Sequence, residues 1–177
     1  GSSTTQFRQV TQPHIDKNIF YPLRQQGCQV YHMDMKQGDG VDIVCDIADP
    51  NIDPLKCIGM RFELVVCANL LEHVLDLERV VRIVVSLVKT GGYLLITVPR
   101  SYRKHPDPID NMFRPLPGKL EQIFRSIEPA MATTASKVIG INERRYYPVH
   151  ESHWPLWGRR DVLRYWFPWA RWKVSCI

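Results

Sequence analysis

The sequence has no apolar run long enough to cross a bilayer and no charged-then-apolar leader at its start. Neither a transmembrane helix nor a signal peptide is therefore expected. It has no CxxC pair; the five cysteines, Cys28, Cys45, Cys57, Cys67 and Cys176, are scattered along the chain. That spacing argues against a zinc ribbon or a disulfide frame. Three of the five fall in strands expected to be buried, where they read as small core residues of a reducing compartment, and the expected location is cytoplasmic. No internal repeat, low-complexity tract or dense basic run occurs. A net charge of +5 permits an anionic partner but gives no clear nucleic-acid signal. No GxGxxG occurs either, which speaks against a nicotinamide-dependent dehydrogenase.

What the sequence does have is a central unit at residues 62–98. FELVVCA is a continuous apolar run rich in β-branched residues, and GGYLLITVP is a second; both suit strands buried on both faces. Between them Glu78, Arg79, Arg82, Ser86 and Lys89 recur every three or four positions and make one solvent stripe. Val80, Val81, Val84, Val85 and Val88 cover the opposite side. Asp76 can cap the first turn, Glu78 suits the positive helix start and Lys89 the negative end. Gly91 or Gly92 can take a left-handed position after the last turn. Two buried strands joined by a helix are parallel with a right-handed crossover. In open sheets of such units, ligands sit at the carboxyl ends of the strands, here Ala68-Asn69-Leu70 and Val98-Pro99-Arg100.

The flanking chain is less regular. FRQVTQ, from Phe7, reads as a first strand, and IFYPLRQQG as a short helical connection interrupted by Pro22. Residues 28–34, CQVYHMD, read as a second strand ending in an acid, and residues 41–49, VDIVCDIAD, as a third, separated by a KQGDG turn. NIDPLKCIGM is a loop or a short helical stretch. Residues 99–118 are proline-rich and polar, a loop across the strand tips. A helix follows at residues 116–127, with Pro117 tolerated in its first turn. ATTASKVIGI and the closing WKVSCI are strand candidates.

The segment FELVVCANLLEHVLDLERVVRIVVSLVKTGGYLLITVP resembles the second half of a class I S-adenosylmethionine-dependent methyltransferase domain of the small-molecule type. HPDPIDNMFRPLPGKLEQIF, from His105, resembles the segment that follows the fifth strand in one branch of that family. The resemblance is strongest over residues 30–124. It implies an α/β fold, a Rossmann-like seven-stranded, mostly parallel sheet with helices on both faces and a partly antiparallel edge. It implies S-adenosylmethionine as cofactor and methyl transfer to a small-molecule or glycosyl-type acceptor.

In that family an acid at the tip of the second strand binds the ribose hydroxyls, which falls on Asp34, with Met35 beside it. An acid ending the third strand meets the adenine amino group, which falls on Asp46, and the next amide, Ile47, meets a ring nitrogen; Asp42 and Asp49 compete for the role. Asn69 and Leu70 fall beside the methionyl part. The family also carries a glycine-rich turn after its first strand. The equivalent here, FRQVTQPHIDKN, has no glycine: Gln9 stands for the usual acid, and Thr11, Gln12 and Pro13 stand where the glycines would approach the cofactor. Weak cofactor binding is the expected consequence.

Each of these residues has a plainer reading. Asp34 and Asp46 suit ordinary turn and strand-end acids. His73, at the helix entrance, suits a catalytic base by its neutral-range pKa, but a residue that only packs or hydrogen-bonds there is the preferred reading, and the same holds for Glu72. His105, Asp107, Asp110, Asn111 and Arg114 look like a metal or acid–base cluster, yet Asp-Pro pairs are common turn starters. A loop over the site is the preferred reading, with His105, Asp110 and Arg114 facing substrate. His150 and His153 lack further clustered ligands, and no metal is expected. The tryptophans Trp154, Trp157, Trp166, Trp169 and Trp172 are interleaved with arginines. They read as a packed carboxyl-terminal lobe over residues 150–177, or else as a protein or membrane-surface contact.

With 45% apolar residues in 177, the chain supports one domain with a real core. The expected organisation is a tag remnant or disordered start at 1–5 and a single methyltransferase-like domain over 6–177. The rival is a catalytically inactive methyltransferase-like domain that serves as a binding module.

Overall fold

The computed structural model of the chain describes residues 2–105, 109–140 and 173–177. The five tryptophans, His150 and His153 lie outside the described residues, as does Asp107. The chain divides into two compact units, Gly1–Met60 and Arg61–Ile177.

In the first unit the strand expected at FRQVTQ is helical. Wide π turns at Phe7–Thr11 and Asp16–Phe20 alternate with two short helices, α1 (Pro13–Ile15) and α2 (Tyr21–Gln25). A strand in this place would bury its apolar positions, but Val10 is 71% exposed while its charged neighbour Arg8 is buried. The Arg8 guanidinium donates to the backbone carbonyls of Ser2, Ser3 and Gly40. It exchanges the water it loses on burial for three carbonyl acceptors. Pro13 and Pro22 each sit in the first turn of a helix, where a missing N–H costs nothing. Pro22 therefore opens α2 rather than breaking a connection.

The second and third expected strands pair only at their tips, β1 (Met33–Asp34) against β2 (Ile43–Val44), in parallel with Met33 opposite Ile43. Ser2, expected outside the fold, donates its backbone N–H to Met33 O at 2.7 Å. Helix α3 (Pro54–Ile58) closes the unit. Asp53 caps it by accepting from Leu55 N, and Gly59 ends it at φ 70°, a left-handed conformation that glycine adopts without strain.

The second unit contains the expected βαβ. Strands β3 (Phe62–Ala68) and β4 (Val88–Ser101) are parallel, with Leu64 opposite Tyr93 and Ala68 opposite Thr97. Helix α4 (Leu77–Ser86) lies between them in sequence, capped by Asp76, whose carboxylate accepts from Arg79 N. Val80, Val81 and Val84 are buried as the stripe required, together with Ile83 and Leu87. Val85 is half-buried. Val88 and Lys89 are not in the helix. They begin β4, where Lys89 pairs with Glu63 across the strands. Gly91 takes the left-handed turn at φ 78°.

Helix α5 (Pro117–Ile127), with Pro117 in its first turn, packs against α4 and buries Leu120 and Phe124. Two further strands, β5 (Lys137–Gly140) and β6 (Lys173–Cys176), complete a sheet of order β3-β4-β6-β5. β6 runs antiparallel to both its neighbours. Pro99, which has no N–H for the ladder, lies next to a register shift between β4 and β6.

The fold is thus mixed α/β. Of the expected seven-stranded, mostly parallel sheet, the described residues form a parallel pair and a four-stranded sheet with one parallel and two antiparallel pairings. Among the described residues the central strands are buried on one face only. Cys67, Ile96 and Val98 are buried, whereas Leu64, Val66, Tyr93 and Leu95 are exposed. Cys45, Cys67 and Cys176 are buried, and all five cysteines are free; Cys28, expected in a buried strand, is exposed. Among the described residues no helix is long and apolar enough to cross a membrane.

Candidate active site

At the tip of β1, Asp34 is half-buried and holds two backbone amides. Ser3 N donates to Oδ2 at 2.9 Å and Lys36 N to Oδ1 at 3.0 Å. Burial alone would raise this carboxyl, but the amides of Lys36 and Ser3 outweigh it and hold the pKa below its usual value. The group is a carboxylate with lone pairs to spare. Ser3 has φ 60°, so the chain turns sharply beside the acid. Thr11 and Gln12, expected near the cofactor as the turn after a first strand, instead end the first helical turn, where Gln12 N donates to Phe7 O. The turn that the structure sets against the β1 acid belongs to Ser2 and Ser3.

Asp46 follows β2 and accepts from Ala48 N at 2.9 Å, a local turn bond, while Ile47 is buried. Asp42 accepts from His32 N, ten residues back, and Asp49 from Asn51 N within its own turn, so both competing acids are engaged. Met35 is exposed.

In the second unit Asn69 follows β3 at φ 50°, a left-handed position that asparagine tolerates better than most residues. Its backbone N–H donates to Thr97 O at 2.8 Å, so the turn leaves the sheet at a fixed angle. Leu70 precedes a single 3-10 turn, Leu71–His73, which leads into α4. Asn111 staples this turn. Its side-chain amide donates to Leu71 O at 3.0 Å and Val74 O at 2.7 Å, and its backbone N–H to Glu72 O at 2.9 Å.

The structure brings the expected substrate residues together. The buried Asp110 carboxylate accepts from Arg114 Nη2 at 2.6 Å, from His105 N at 3.0 Å and from Met112 N at 2.8 Å. Burial opposes its charge, yet the Arg114 guanidinium and the two amides hold its carboxyl well below the usual range. Asp110 is the organiser of the loop, and its oxygens are spent inside it.

Glu72 is different. It is fully buried, and neither carboxylate oxygen has a hydrogen-bond partner; burial pushes its carboxyl up. Its Oε1 lies 3.8 Å from His73 Nε2. His73 Nδ1 donates to Ile109 O at 2.6 Å, and its ring stands edge-on to His105 with centroids 5.0 Å apart. Two shallow grooves, one lined by Gln9, Pro13, Asp16, Lys17, Tyr21 and Arg24 and one on α4, contain none of these residues.

A βαβ unit, an acid at a parallel strand tip and a fixed turn after β3 are parts that a group-transfer enzyme with a nucleoside cofactor would use. A family model described as a methyltransferase domain matches residues 13–135. The match covers more than half of the chain, and the chain belongs to the methyltransferase domain family. No curated protein and no solved structure matches it.

Proposed function

We propose that the chain is a class I methyltransferase with a Rossmann-like origin, which transfers the methyl group of S-adenosylmethionine to a small-molecule or glycosyl-type acceptor. An acceptor lone pair attacks the methyl carbon as the carbon–sulfur bond breaks. S-adenosylhomocysteine leaves as a neutral thioether, and the acceptor's proton passes to solvent or to a base. Positioning the acceptor in line with the sulfonium supplies most of the acceleration, and an acceptor that is already nucleophilic needs no enzyme base. In this reading Asp34 takes the ribose hydroxyls, Asp46 and Ile47 the adenine, and Asn69 and Leu70 the methionyl end.

The observation that carries the proposal is Asp34: an ionised acid at the tip of β1, with one amide on each oxygen and lone pairs left over for a diol. Charge-assisted hydrogen bonds contribute roughly 1.5–3 kcal/mol each at most. Asp34→Ala is expected to weaken S-adenosylmethionine binding in calorimetry by on the order of 10–100-fold, with the circular dichroism of the folded chain retained. Unchanged affinity would remove Asp34 from the site. Absence of any cofactor binding by the unaltered chain would remove the proposal and leave a methyltransferase-like binding module.

A further inference from the structure

The buried carboxylate of Glu72 has no use in methyl transfer as described, and neither of its oxygens has a hydrogen-bond partner. Glu72 and His73 stand side by side on the turn after β3, and His105 stands on the segment after β4, so the parallel pairing of the two strands brings both segments to one end of the sheet. One ligand atom from each of Glu72, His73 and His105 lies within 4.8 Å of the others.

We propose that these three residues form a mononuclear site for a borderline first-row divalent cation, best matched by Zn²⁺. The donor set is two imidazoles and one carboxylate. Two nitrogen ligands favour zinc and its neighbours over magnesium or calcium, which take oxygen. The buried carboxylate is the independent sign. A fully buried acceptor with no donor is rare in folded proteins and calls for an ion or a partner, and Glu72 has both oxygens in that state.

The rings are held as metal-ligating histidines are held. The N–H of His73 Nδ1 is committed to Ile109 O at 2.6 Å, and His105 Nδ1 lies 3.1 Å from both Asp110 Oδ2 and Arg103 O. Each contact fixes a tautomer that leaves Nε2 with its lone pair, the outer-shell arrangement that orients imidazole toward a metal. Ligand atoms around a tetrahedral zinc stand roughly 3.3 Å apart. Glu72 Oε1 and His73 Nε2, at 3.8 Å, therefore need only a small torsional adjustment to close on the ion, with His105 moving further. Arg114 Nη2 is bound to Asp110, and the guanidinium favours the charged form of Glu72 without a hydrogen bond to it. Three protein ligands leave one position for water or another oxygen donor. The assignment gives His73 a ligand's role in place of a base's, and it stands whether or not the chain transfers methyl groups.

The test is a titration of the full chain, stripped of metal by chelation, with ZnCl₂ in calorimetry and with CoCl₂ followed by visible absorption. One ion per chain and a four-coordinate cobalt spectrum are expected. His73→Ala and His105→Ala should each weaken zinc binding by on the order of 100-fold or more. Glu72→Gln should weaken it as well, and the two histidine variants carry the test if that variant fails to fold. A double variant, His150→Ala with His153→Ala, should leave the affinity unchanged. No saturable binding would overturn the proposal, as would zinc binding that survives both single histidine changes or is lost only in the double variant.

Discussion

The backbone amide of Asn111 donates to the carbonyl oxygen of Glu72 at 2.9 Å. With the two side-chain bonds to Leu71 and Val74, Asn111 fixes the turn that carries Glu72 and His73. A residue in the segment after β4 thus sets the geometry of the segment after β3.

Asn111→Ala should loosen that turn. Two side-chain hydrogen bonds contribute roughly 1–3 kcal/mol together, and urea unfolding should show a loss in that range. Methyl transfer, where it is measured, should fall further than stability does, because the Leu71–His73 turn would no longer be held. A variant with unchanged stability would show that the staple does not operate in solution.

Gly40 has φ 71°, and an added Cβ would stand 1.8 Å from Thr5 Oγ1 and 2.9 Å from Arg8 Nη2. Gly40→Ala should therefore cost more than the roughly 1–2 kcal/mol of a left-handed alanine, since the Arg8 contacts must also move. Gly27 has a similar φ of 82° with nothing within 4 Å, so Gly27→Ala reports the backbone cost alone. Equal destabilisation by the two substitutions in thermal melts would rule out the clash.

His32 is buried, shares a 2.7 Å hydrogen bond with Ser2 Oγ and stacks edge-on to Phe20. Burial lowers its pKa, and the positive charges of Arg8 and Arg24 lower it further against the opposing Asp42 and Asp16. Below the unfolded value of about 6.5 the unfolded chain binds a proton that the folded chain refuses. Stability therefore rises with pH through this window and falls as pH drops from about 6.5 toward the lower folded value. Urea unfolding between those limits should show the slope, and His32→Asn should flatten it. A slope unaltered in the variant would assign the titration elsewhere.

Val84 is 3% exposed on the buried side of α4. A carboxylate placed there without a partner costs several kcal/mol, against a total stability of roughly 5–15 kcal/mol for a domain. Val84→Asp should abolish cooperative folding of its unit. A soluble variant with a sharp melting transition would contradict the helix face.

The sequence by itself determined the elements whose signals are local. Asp76 caps α4 because its carboxylate reaches Arg79 N within one turn, Pro117 opens α5, and the apolar runs of β3 and β4 with a helix between them dictate a parallel pair. Asp34 at a strand tip was legible for the same reason. Tertiary structure decided the rest. Whether FRQVTQ pairs as a strand depends on what buries Arg8, and its acceptors include the carbonyl of Gly40, thirty-two residues away. The amides of Ser2 and Ser3 meet Met33 O and the Asp34 carboxylate, partners far along the chain that no local pattern specifies. Thr11 and Gln12, expected where a first strand turns toward the cofactor, close a helical turn because that strand does not form. The antiparallel insertion of β6 joins residues 97–101 to the far end of the chain, a pairing for which no local pattern codes. In the sequence Glu72 reads as a packing residue ahead of a chemical one. Only the fold, which seals it from water without a hydrogen-bond donor and sets His73 and His105 beside it, distinguishes the two, because burial and partnership are properties of the packed chain.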